Sequence, residues 1–461
     1  MYDLIIIGAG TAGISAYKEA VKHTQNLLII NEGPWDTTCA RVGCMPSKVL
    51  ISSANRAHDA QHLTQVGLSA ELQLNSSQLM QHVRQLRDRF TKATLKDVES
   101  WPKQHKLNGR AEFVNANTVA INGEYLQAKA FVIAVGSTPQ FETELKEKLG
   151  NRLLSSDDIF EIEVLPKSMA VIGSGVIALE LAQAFHRLGV HTHIFARSRK
   201  VGALTSPQLQ TLAQTQFSQE LNLHFETLPQ SYELNEHGVK IHFTEQEKTQ
   251  TLDVDYVLTA TGRRSLLSTL KLENIDQSYN DLKKLPVDAQ TKQLADLPIF
   301  IAGDAYTNTP IQHEAAHEGR TSAYNALHFP MIKSAKTLTP LAMVFCQPEM
   351  ASVGQNHKQL TQSNVAFVTG YIDYSRQGRA IVMGKNQGAV EIYVHKESRK
   401  ILGAELFCEA AEHFAHSLAW LMASNMNIDD ILAQPFYHPT LEEGLRTALK
   451  HARRQLNQPS V

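Results

Sequence analysis

Two segments of this 461-residue chain repeat the same order of a short apolar strand, a glycine-rich turn, a helix and a second strand. The first begins at residue 2 as YDLIIIGAGTAGISAYKEAVKHTQNLLIINE, and the second begins at residue 168 as SMAVIGSGVIALELAQAFHRLGVHTHIFARSRK. Units of this kind build parallel sheets with helices on their faces. A chain of this length also exceeds what one hydrophobic core usually supports. We therefore predict an α/β protein with two Rossmann-like dinucleotide-binding domains.

The glycines of the first segment have the spacing that a nucleotide pyrophosphate requires. Gly8, Gly10 and Gly13 follow the strand directly as G-x-G-x-x-G, which suits a tight turn, close backbone approach to phosphate and close helix packing. Glu32 ends the second strand, nineteen residues after Gly13, where its carboxylate can accept hydrogen bonds from ribose hydroxyls. A plain glycine-rich turn is the alternative, but strand, helix and acid together favour dinucleotide binding.

The second segment differs from the first at the end of its second strand. Gly173, Gly175 and Ala178 form G-x-G-x-x-A, and the strand ends in FARSRK with Arg197 and Arg199 where the first segment has an acid. Arginine suits a ribose 2′-phosphate through charge-assisted bidentate bonds, whereas an acid suits a free 2′-hydroxyl. This end therefore favours NADP over NAD, with a solvated basic loop as the alternative.

The stretch DTTCARVGCMPSK, residues 36–48, places Cys39 and Cys44 five positions apart. A structural disulfide would close a very short loop and contribute little, and no second pair of ligands completes a zinc site. A helix that begins near Cys44, with Pro46 in its first turn and Lys48 close by, would favour a thiolate. We therefore favour a redox pair and no metal, with two buried thiols as the alternative.

The composition gives no reason to expect a nucleic-acid or membrane partner. Hydrophobic residues make up 43% of the chain and charged residues 20%, with a formal net charge of −2. The N-terminus has Asp3 ahead of a short apolar run and no basic lead, so it resembles neither a secretory signal nor a membrane span. Four cysteines in a chain of this size also fit a reducing compartment. We expect a cytoplasmic protein that acts on small molecules.

The sequence pattern changes after residue 336. Up to that point, three more strand-like runs end in glycine: AFVIAVGSTP (130–139), LTATGRR (258–264) and LPIFIAGDAYTN (297–308). Beyond it, amphipathic segments such as AEHFAHSLAWLMASNMNIDDIL alternate with β-rich stretches such as GAVEIYVHKES. The change predicts a separate α+β unit at the C-terminal end.

The two glycine fingerprints, Glu32, the C-x-x-x-x-C-x-P-S-K stretch and IAGDA occur in an order that resembles the class I FAD-dependent pyridine nucleotide-disulfide oxidoreductases. The resemblance spans essentially the whole chain and is closest to dihydrolipoamide dehydrogenase. It implies FAD with NADP or NAD, a homodimer, and a small disulfide or dithiol as substrate. It also implies four domains, which are an FAD-binding domain (1–148), an NAD(P)-binding domain (149–264), a central domain completing the FAD site (265–335) and an α+β dimerisation domain (336–461).

The resemblance also assigns roles to the reactive side chains. Cys44 would be the sulfur beside the flavin that forms a charge-transfer thiolate, and Cys39 would exchange with the substrate. FYHPTLEEG resembles the family's His-Pro-Thr segment, which makes His438 of the partner subunit the base and Glu443 its orienting carboxylate. A histidine beside a proline is by itself more often structural, but its agreement with the cysteine stretch favours catalysis.

Further residues are implied around the two nucleotides. Lys48 should lie near the flavin and pair with Glu180, which follows the second fingerprint in VIALE, while Asp304 of IAGDA should hold the ribityl-phosphate region. Three more would line the nucleotide passages, with ordinary turn or strand-end backbone as the alternative: Ala111, Gly136 and Gly262.

The resemblance leaves two members of the family open. The chain ends RRQLNQPSV without a C-terminal cysteine pair, which disfavours mercuric reductases and the larger thioredoxin reductases, and its redox pair disfavours soluble transhydrogenases. TPIQHEAAHEGR (309–320), HPTLEE and Val176, where glutathione reductases usually have a tyrosine, favour the lipoamide enzymes. Arg197 favours the alternative, an NADPH-dependent enzyme like glutathione reductase.

The redox stretch itself departs from the family pattern. Asp36 and Thr37 replace two glycines, and a β-branched Thr37 does not readily adopt positive φ, so we expect the loop to follow a different path. Arg41 stands where the family usually has asparagine, and it either alters the charge near the disulfide or is solvated. These changes indicate a divergent subgroup.

Overall fold

The computed structural model describes residues 1–307 and 310–458. Asn308 and Thr309, which belong to segments 297–308 and 309–320, lie outside the described residues, as do residues 459–461 of the C-terminal RRQLNQPSV. No helix among the described residues is long and apolar enough to cross a membrane.

The described residues form thirteen α-helices and twenty-two strands, numbered here in chain order, together with several short 3₁₀ turns. The strands are β1 Tyr2–Ile7, β2 Leu27–Asn31, β3 Lys106–Asn108, β4 Glu112–Asn115, β5 Thr118–Ile121, β6 Glu124–Ile133, β7 Ser137–Pro139, β8 Leu153–Leu154, β9 Ser168–Ile172, β10 His191–Ala196, β11 Asn222–Phe225, β12 Ser231–Leu234, β13 Val239–Glu245, β14 Lys248–Val254, β15 Tyr256–Thr259, β16 Arg263–Ser265, β17 Ile299–Ile301, β18 Leu341–Val344, β19 Glu349–Gly354, β20 Phe367–Asp373, β21 Gly388–His395 and β22 Ile401–Cys408. The helices are α1 Thr11–Ala20, α2 Thr38–Arg41, α3 Cys44–Gln61, α4 Ser76–Glu99, α5 Thr143–Leu149, α6 Val176–Arg187, α7 Pro207–Glu220, α8 Gln312–His328, α9 His357–Gln362, α10 Gly378–Met383, α11 Ala411–Ala423, α12 Ile428–Leu432 and α13 Glu443–Leu456.

The chain divides into two compact units, each built from three segments. The first contains residues 1–46, 81–140 and 262–337, and the second contains residues 47–80, 141–261 and 338–461.

The first unit is organised around a parallel sheet. Strands β3, β2, β1, β6 and β17 are parallel neighbours in that order, and β4 and β5 extend the sheet as antiparallel strands beside the first half of β6. Successive side chains of β1 point to opposite faces of the sheet, and both faces are covered, so residues 4–7 are all buried. Leu4 and Ile6 pack in one core cluster with Tyr17 of α1, while Ile5 and Ile7 pack in another with Val119 of β5.

The second unit contains one parallel and two antiparallel sheets. Strands β11, β10, β9, β15 and β8 are parallel in that order, with α6 as the crossover between β9 and β10. Strands β12, β13 and β14 form an antiparallel sheet. The C-terminal part is a five-stranded antiparallel sheet in the order β18-β19-β22-β21-β20, whose core includes Phe414 and Leu418 of α11 and Leu445 and Leu449 of α13. The expected α/β class, with two dinucleotide-binding folds and an α+β C-terminal part, is confirmed.

Candidate active site

The two glycine turns have the same local geometry. Gly8 has φ +107°, and a Cβ built on it would lie 2.3 Å from the carbonyl oxygen of Ala134. Gly173 has φ +120°, and its Cβ would lie 2.6 Å from the carbonyl oxygen of Ala260. Any side chain at either position would clash with the neighbouring strand end and strain the backbone. Both turns therefore bring a helix N-terminus immediately beside a parallel strand end.

The second glycine of each turn faces open space. No atom lies within 4 Å of a Cβ built on Gly10 or Gly175, and each of these glycines caps the helix that follows, α1 or α6. A Cβ at Gly13 would lie 1.8 Å from the Gly8 carbonyl oxygen, whereas Ala178 is accommodated fully buried at the matching position of α6. Backbone N–H groups next to open space at a helix N-terminus fit a diphosphate, so both turns fit a dinucleotide.

The acid at the end of β2 is held by a partner that the sequence did not indicate. Glu32 is exposed and forms an ion pair with Arg110, at 2.7 Å between Oε1 and Nη2. Next to it, Asn31 Oδ1 accepts a hydrogen bond of 3.0 Å from the backbone N–H of Ala9 in the first glycine turn. Neither contact follows from a local motif, because the two residues of each contact are far apart in the sequence, by 22 positions for Ala9–Asn31 and by 78 for Glu32–Arg110.

Of the remaining residues implied around the two nucleotides, three lie in loops or short turns that belong to the first unit: Asp304, Gly136 and Gly262. Asp304 Oδ2 accepts a hydrogen bond of 3.2 Å from the Ser137 hydroxyl, and Arg263 donates from Nε to the same hydroxyl at 2.9 Å. Gly136 and Gly262 have φ +72° and +126°, with no atom within 4 Å of a built Cβ. Ala111, in contrast, is only 2% exposed and packs in the core cluster of β1 and β5.

The basic loop after β10 is exposed and locally supported. Arg197 and Arg199 are both exposed, and the Arg199 guanidinium lies 5.1 Å from the ring centroid of Phe225. Gln214 of α7 donates to the Arg199 carbonyl oxygen at 2.7 Å. The loop therefore presents two cations beside the second glycine turn, with its backbone fixed from α7.

The cysteine stretch forms two consecutive helical segments of different length. Cys39 lies half-buried in the single turn of α2, and Cys44 is exposed as the first residue of α3. Thr37 has φ −90° and ψ 142° and caps α2, because its hydroxyl accepts from the Ala40 N–H at 3.2 Å. The predicted helix start at Cys44 is confirmed, and Thr37 replaces glycine through an extended backbone that allows a β-branched side chain.

The other two departures from the family pattern contact each other. Asp36 is 8% exposed, and its Oδ1 lies 3.0 Å from Nε of Arg41. The guanidinium reaches back across α2 to a carboxylate that would otherwise be buried without a counter-ion. Arg41 is therefore neither a solvated side chain nor an isolated positive charge.

The other two cysteines have a different environment. Cys346 and Cys408 are both buried, and burial raises the pKa of both thiols well above the ordinary value, with Glu349 adding to the effect. A thiol held protonated is a poor nucleophile. Among the cysteines, exposure and helix position single out Cys39 and Cys44.

Lys48 and Glu180 lie together in the second unit. Lys48 Nζ, from the second turn of α3, is 2.8 Å from Oε2 of Glu180 on α6, whose side chain is 6% exposed. Glu180 Oε1 accepts a second hydrogen bond of 2.9 Å from the backbone N–H of Phe345, and the Lys48 ammonium lies 4.4 Å from the Phe345 ring centroid. Phe345 was missed from the sequence because its role depends on contacts about 165 and 300 residues away in the chain.

His438 and Glu443 form a hydrogen-bonded pair at the start of α13. His438 Nδ1 lies 3.0 Å from Glu443 Oε2, and the histidine side chain is 80% exposed. The Thr440 N–H donates to the same carboxylate oxygen at 3.2 Å, and this bond together with the His438 contact lowers the pKa of Glu443. The carboxylate therefore stays ionised and orients an imidazole whose Nε2 edge points away from it.

Among the described residues, no cluster of three or more histidine, cysteine, aspartate or glutamate side chains has the arrangement of a metal site. The chemistry available is thus that of two thiols, an amine–carboxylate pair, a histidine–carboxylate pair and two dinucleotide-type turns.

These features fit an enzyme that binds two dinucleotides and carries a reactive thiol pair, and comparison with known proteins identifies its class. The chain belongs to the pyridine nucleotide-disulphide oxidoreductase family, whose model matches residues 2–320, and the dimerisation domain of that family matches residues 341–449. It is therefore a flavin disulfide oxidoreductase that uses FAD and a nicotinamide dinucleotide.

Curated relatives match over nearly the whole chain. A dihydrolipoyl dehydrogenase from Geobacillus stearothermophilus is 30% identical, covering 96% of this chain and 94% of that protein, and one from Staphylococcus aureus is 28% identical, covering 98% and 96%. A mercuric reductase from Staphylococcus aureus is 27% identical, covering 97% of this chain and 82% of that protein.

Solved structures share the fold at lower identity. LpdA from Mycobacterium tuberculosis has a TM-score of 0.82 at 20% identity, covering 99% of this chain and 100% of that chain. RclA from Escherichia coli, described as an HOCl-induced flavoprotein disulfide reductase, has a TM-score of 0.78 at 18% identity, covering 97% and 99%.

Proposed function

We propose that this protein passes electrons between NADP or NAD and a small disulfide or dithiol through a Cys39–Cys44 redox pair, in the manner of dihydrolipoamide dehydrogenase. The observation that carries the proposal is the 2.8 Å bond between Lys48 and Glu180. It joins the helix that Cys44 begins to the helix behind the second glycine turn. An amine held by a largely buried carboxylate, on the helix that begins with Cys44, supports chemistry that involves both the thiols and the second nucleotide.

The thiols and the histidine account for the substrate half-reaction. A substrate thiolate attacks the Cys39 sulfur of the disulfide, the Cys39–Cys44 bond breaks, and Cys44 leaves as a thiolate favoured by the N-terminus of α3. The second substrate thiol then displaces Cys39 and forms the substrate disulfide. His438 takes up the proton of one substrate thiol, and Glu443 stabilises the resulting imidazolium. The proton of the other substrate thiol goes to the sulfur of Cys39 as it is displaced. Bound FAD supplies the two-electron acceptor between the thiols and the nicotinamide.

The proposed site needs a second subunit. His438 is 80% exposed in the single chain, so its imidazole is available to a partner. We place His438 of the partner subunit opposite Cys39, with residues 336–461 as the dimerisation domain, 1–148 for FAD, 149–264 for NAD(P) and 265–335 completing the FAD site. We also infer that the enzyme works in the cytoplasm.

The loop after β10 supports NADP over NAD. Arg197 and Arg199 are exposed beside the second glycine turn and present guanidinium groups that can bind a 2′-phosphate. Arg197→Ala and Arg199→Ala should each raise the KM for NADPH and leave that for NADH nearly unchanged. A wild-type preference for NADH would contradict this assignment.

The second candidate within the class is an NADPH-dependent reductase of glutathione disulfide or a related thiol, and the same arginines favour it. Steady-state rates with lipoamide, glutathione disulfide and mixed small disulfides, each with NADPH and NADH, separate the two candidates. We expect the highest kcat/KM with lipoamide. A clear preference for glutathione disulfide would select the second candidate, and a colourless purified protein that takes up no FAD would contradict both.

A further inference from the structure

Helices α3 and α6 meet at two points along their length. On α6, Glu180, Gln183 and Arg187 are spaced i, i+3 and i+7, so they lie on one face of the helix. On α3, Lys48 and Asn55 are seven residues apart, which again places them on one face about two turns apart. Lys48 bonds Glu180 at the first point, and Arg187 Nη1 donates to Asn55 Oδ1 at 2.8 Å at the second.

Arg187 is a buried cation whose guanidinium is held by several hydrogen bonds. Its side chain is 4% exposed, its Nε and Nη2 donate to the two carboxylate oxygens of Glu220 at 2.5 and 3.1 Å, and Nη1 also donates to Gln347 Oε1 at 2.5 Å. Burial followed by the Arg187 charge lowers the pKa of His58 to about 4, so His58 is neutral near pH 7. The two bonds to the Glu220 carboxylate and the bond to Gln347 hold the planar guanidinium in a defined orientation.

A third segment, residues 345–347, contacts α6 between the Lys48–Glu180 and Arg187–Asn55 contacts. Gln183 Nε2 donates to the Gln347 carbonyl oxygen, and the Gln347 N–H donates back to Gln183 Oε1, both at 2.8 Å. Two residues earlier, the Phe345 N–H donates to Glu180. The segment 345–347 therefore follows the same face of α6 from Glu180 to Arg187 and prevents the helix from shifting along its axis.

We propose that Arg187, acting through Asn55, is a positioning residue that fixes the register of the redox helix α3 against the nucleotide helix α6. This inference rests on the proposed function, because the pair that it positions is Lys48–Glu180. A helix joined to its neighbour only at Lys48 can pivot about that point, whereas a second contact two turns away removes the pivot. Loss of the second contact should therefore displace Lys48 and slow electron transfer between nicotinamide and flavin without weakening nucleotide binding.

Asn55→Ala tests the proposal because it removes the second contact and keeps the Arg187–Glu220 pair. We expect the single-turnover rate of flavin reduction at saturating NADPH to fall about tenfold, as small misplacements of reacting groups do, with an unchanged dissociation constant for the nucleotide. Asn55→Asp keeps an acceptor for Arg187 and should restore the rate. Ser53→Ala on the same helix, where the hydroxyl bonds the Val49 carbonyl oxygen, is the matched control and should behave as wild type.

The outcomes separate this inference from the proposed function. If the wild-type flavin is reduced by neither NADPH nor NADH, the proposed function fails and the inference fails with it. If the wild-type flavin is reduced but Asn55→Ala reacts at the wild-type rate, only the inference is overturned. A rate loss that Asn55→Asp does not restore, or that comes with an equal loss of nucleotide affinity, also overturns it.

Discussion

At the scale of single residues, the redox stretch contains a matched pair of substitutions. Asp36 and Arg41 both depart from the family pattern, and each provides what the other requires, a buried carboxylate and its counter-ion 3.0 Å away. Thr37, the third departure, caps the turn that contains Cys39. The three changes together replace a glycine-based loop with one held by side chains, so they should be interpreted as one unit.

Replacing either Asp36 or Arg41 alone should destabilise the protein. Replacing both together should largely restore the lost stability. Arg41→Ala leaves a buried carboxylate without its partner, so we expect the free energy of unfolding to fall by about 1–3 kcal/mol. The double variant Asp36→Ala/Arg41→Ala should lose less than the sum of the single variants. Denaturant unfolding of the FAD-bound protein measures all three. Strictly additive losses would show that the pair is not coupled.

His438 and Glu443 should affect substrate turnover and spare the nucleotide half-reaction. His438→Gln removes the proton acceptor, and we expect disulfide turnover to fall about 10²–10⁴-fold, the usual contribution of a positioned acid–base group. Glu443→Gln should have a smaller effect of the same kind. Steady-state assays give the turnover, and stopped-flow flavin reduction by NADPH should remain near wild type.

The matched control is His82→Gln, an exposed histidine on α4. It should leave both rates unchanged. If His438→Gln slowed flavin reduction as much as turnover, the assignment of His438 to the disulfide side would be wrong.

At the scale of elements, the C-terminal antiparallel sheet carries a half-buried carboxylate whose titration is shifted. Glu349 begins β19, and its Oε2 accepts a hydrogen bond of 2.9 Å from the Glu412 N–H in the first turn of α11. Burial is the main cause that raises its pKa from 4.5 to about 7, and the charges of Glu412 and Glu409 add to it. A raised pKa means that the folded protein binds this proton more tightly than the unfolded chain does.

The contribution of Glu349 to stability should therefore fall as pH rises from about 4.5 to about 7, because the folded protein retains a proton that the unfolded chain has already lost. Glu349→Gln removes this titration, so the difference in unfolding free energy between variant and wild type should shift in favour of the variant across this range. Thermal unfolding at several pH values measures it. Glu397→Gln, at an exposed position, is the control, and its unfolding temperature should depend on pH in the same way as that of wild type. A Glu349→Gln variant with the wild-type pH dependence would contradict the prediction.

Elements with local signals could be predicted from the sequence, whereas contacts between distant elements could not. The glycine turns and the start of α3 follow from short motifs whose geometry is set by backbone sterics and helix ends. The Lys48–Glu180 contact was expected only because two motifs matched a known family. The Glu32–Arg110 and Arg187–Asn55 contacts have no motif, since they depend on where strands and helices meet after folding. Asp36–Arg41 was missed although it is local, because its partners are five residues apart and no regular helix spacing places them together.

At the scale of the whole molecule, the proposed function places the reactive groups in one order between nicotinamide and substrate. In the proposed function, Lys48 and Glu180 would lie on the nicotinamide side of the flavin, Cys44 and Cys39 would link the flavin to the substrate, and His438 of the partner subunit would act on the substrate. Every group in this order except the cofactors and the substrate is a residue of this sequence, with His438 contributed by the second copy. The account therefore depends on Cys44 more than on any other residue, because both halves of the reaction pass through it.

The most direct test is the visible spectrum of the FAD-bound enzyme during anaerobic reduction, compared between wild type, Cys44→Ser and the buried-cysteine control Cys408→Ser. We predict that partial reduction of wild type and of Cys408→Ser produces a long-wavelength absorption band from a thiolate next to oxidised flavin. Cys44→Ser should lack this band at every stage of the titration. A band of wild-type intensity in Cys44→Ser would contradict the central claim.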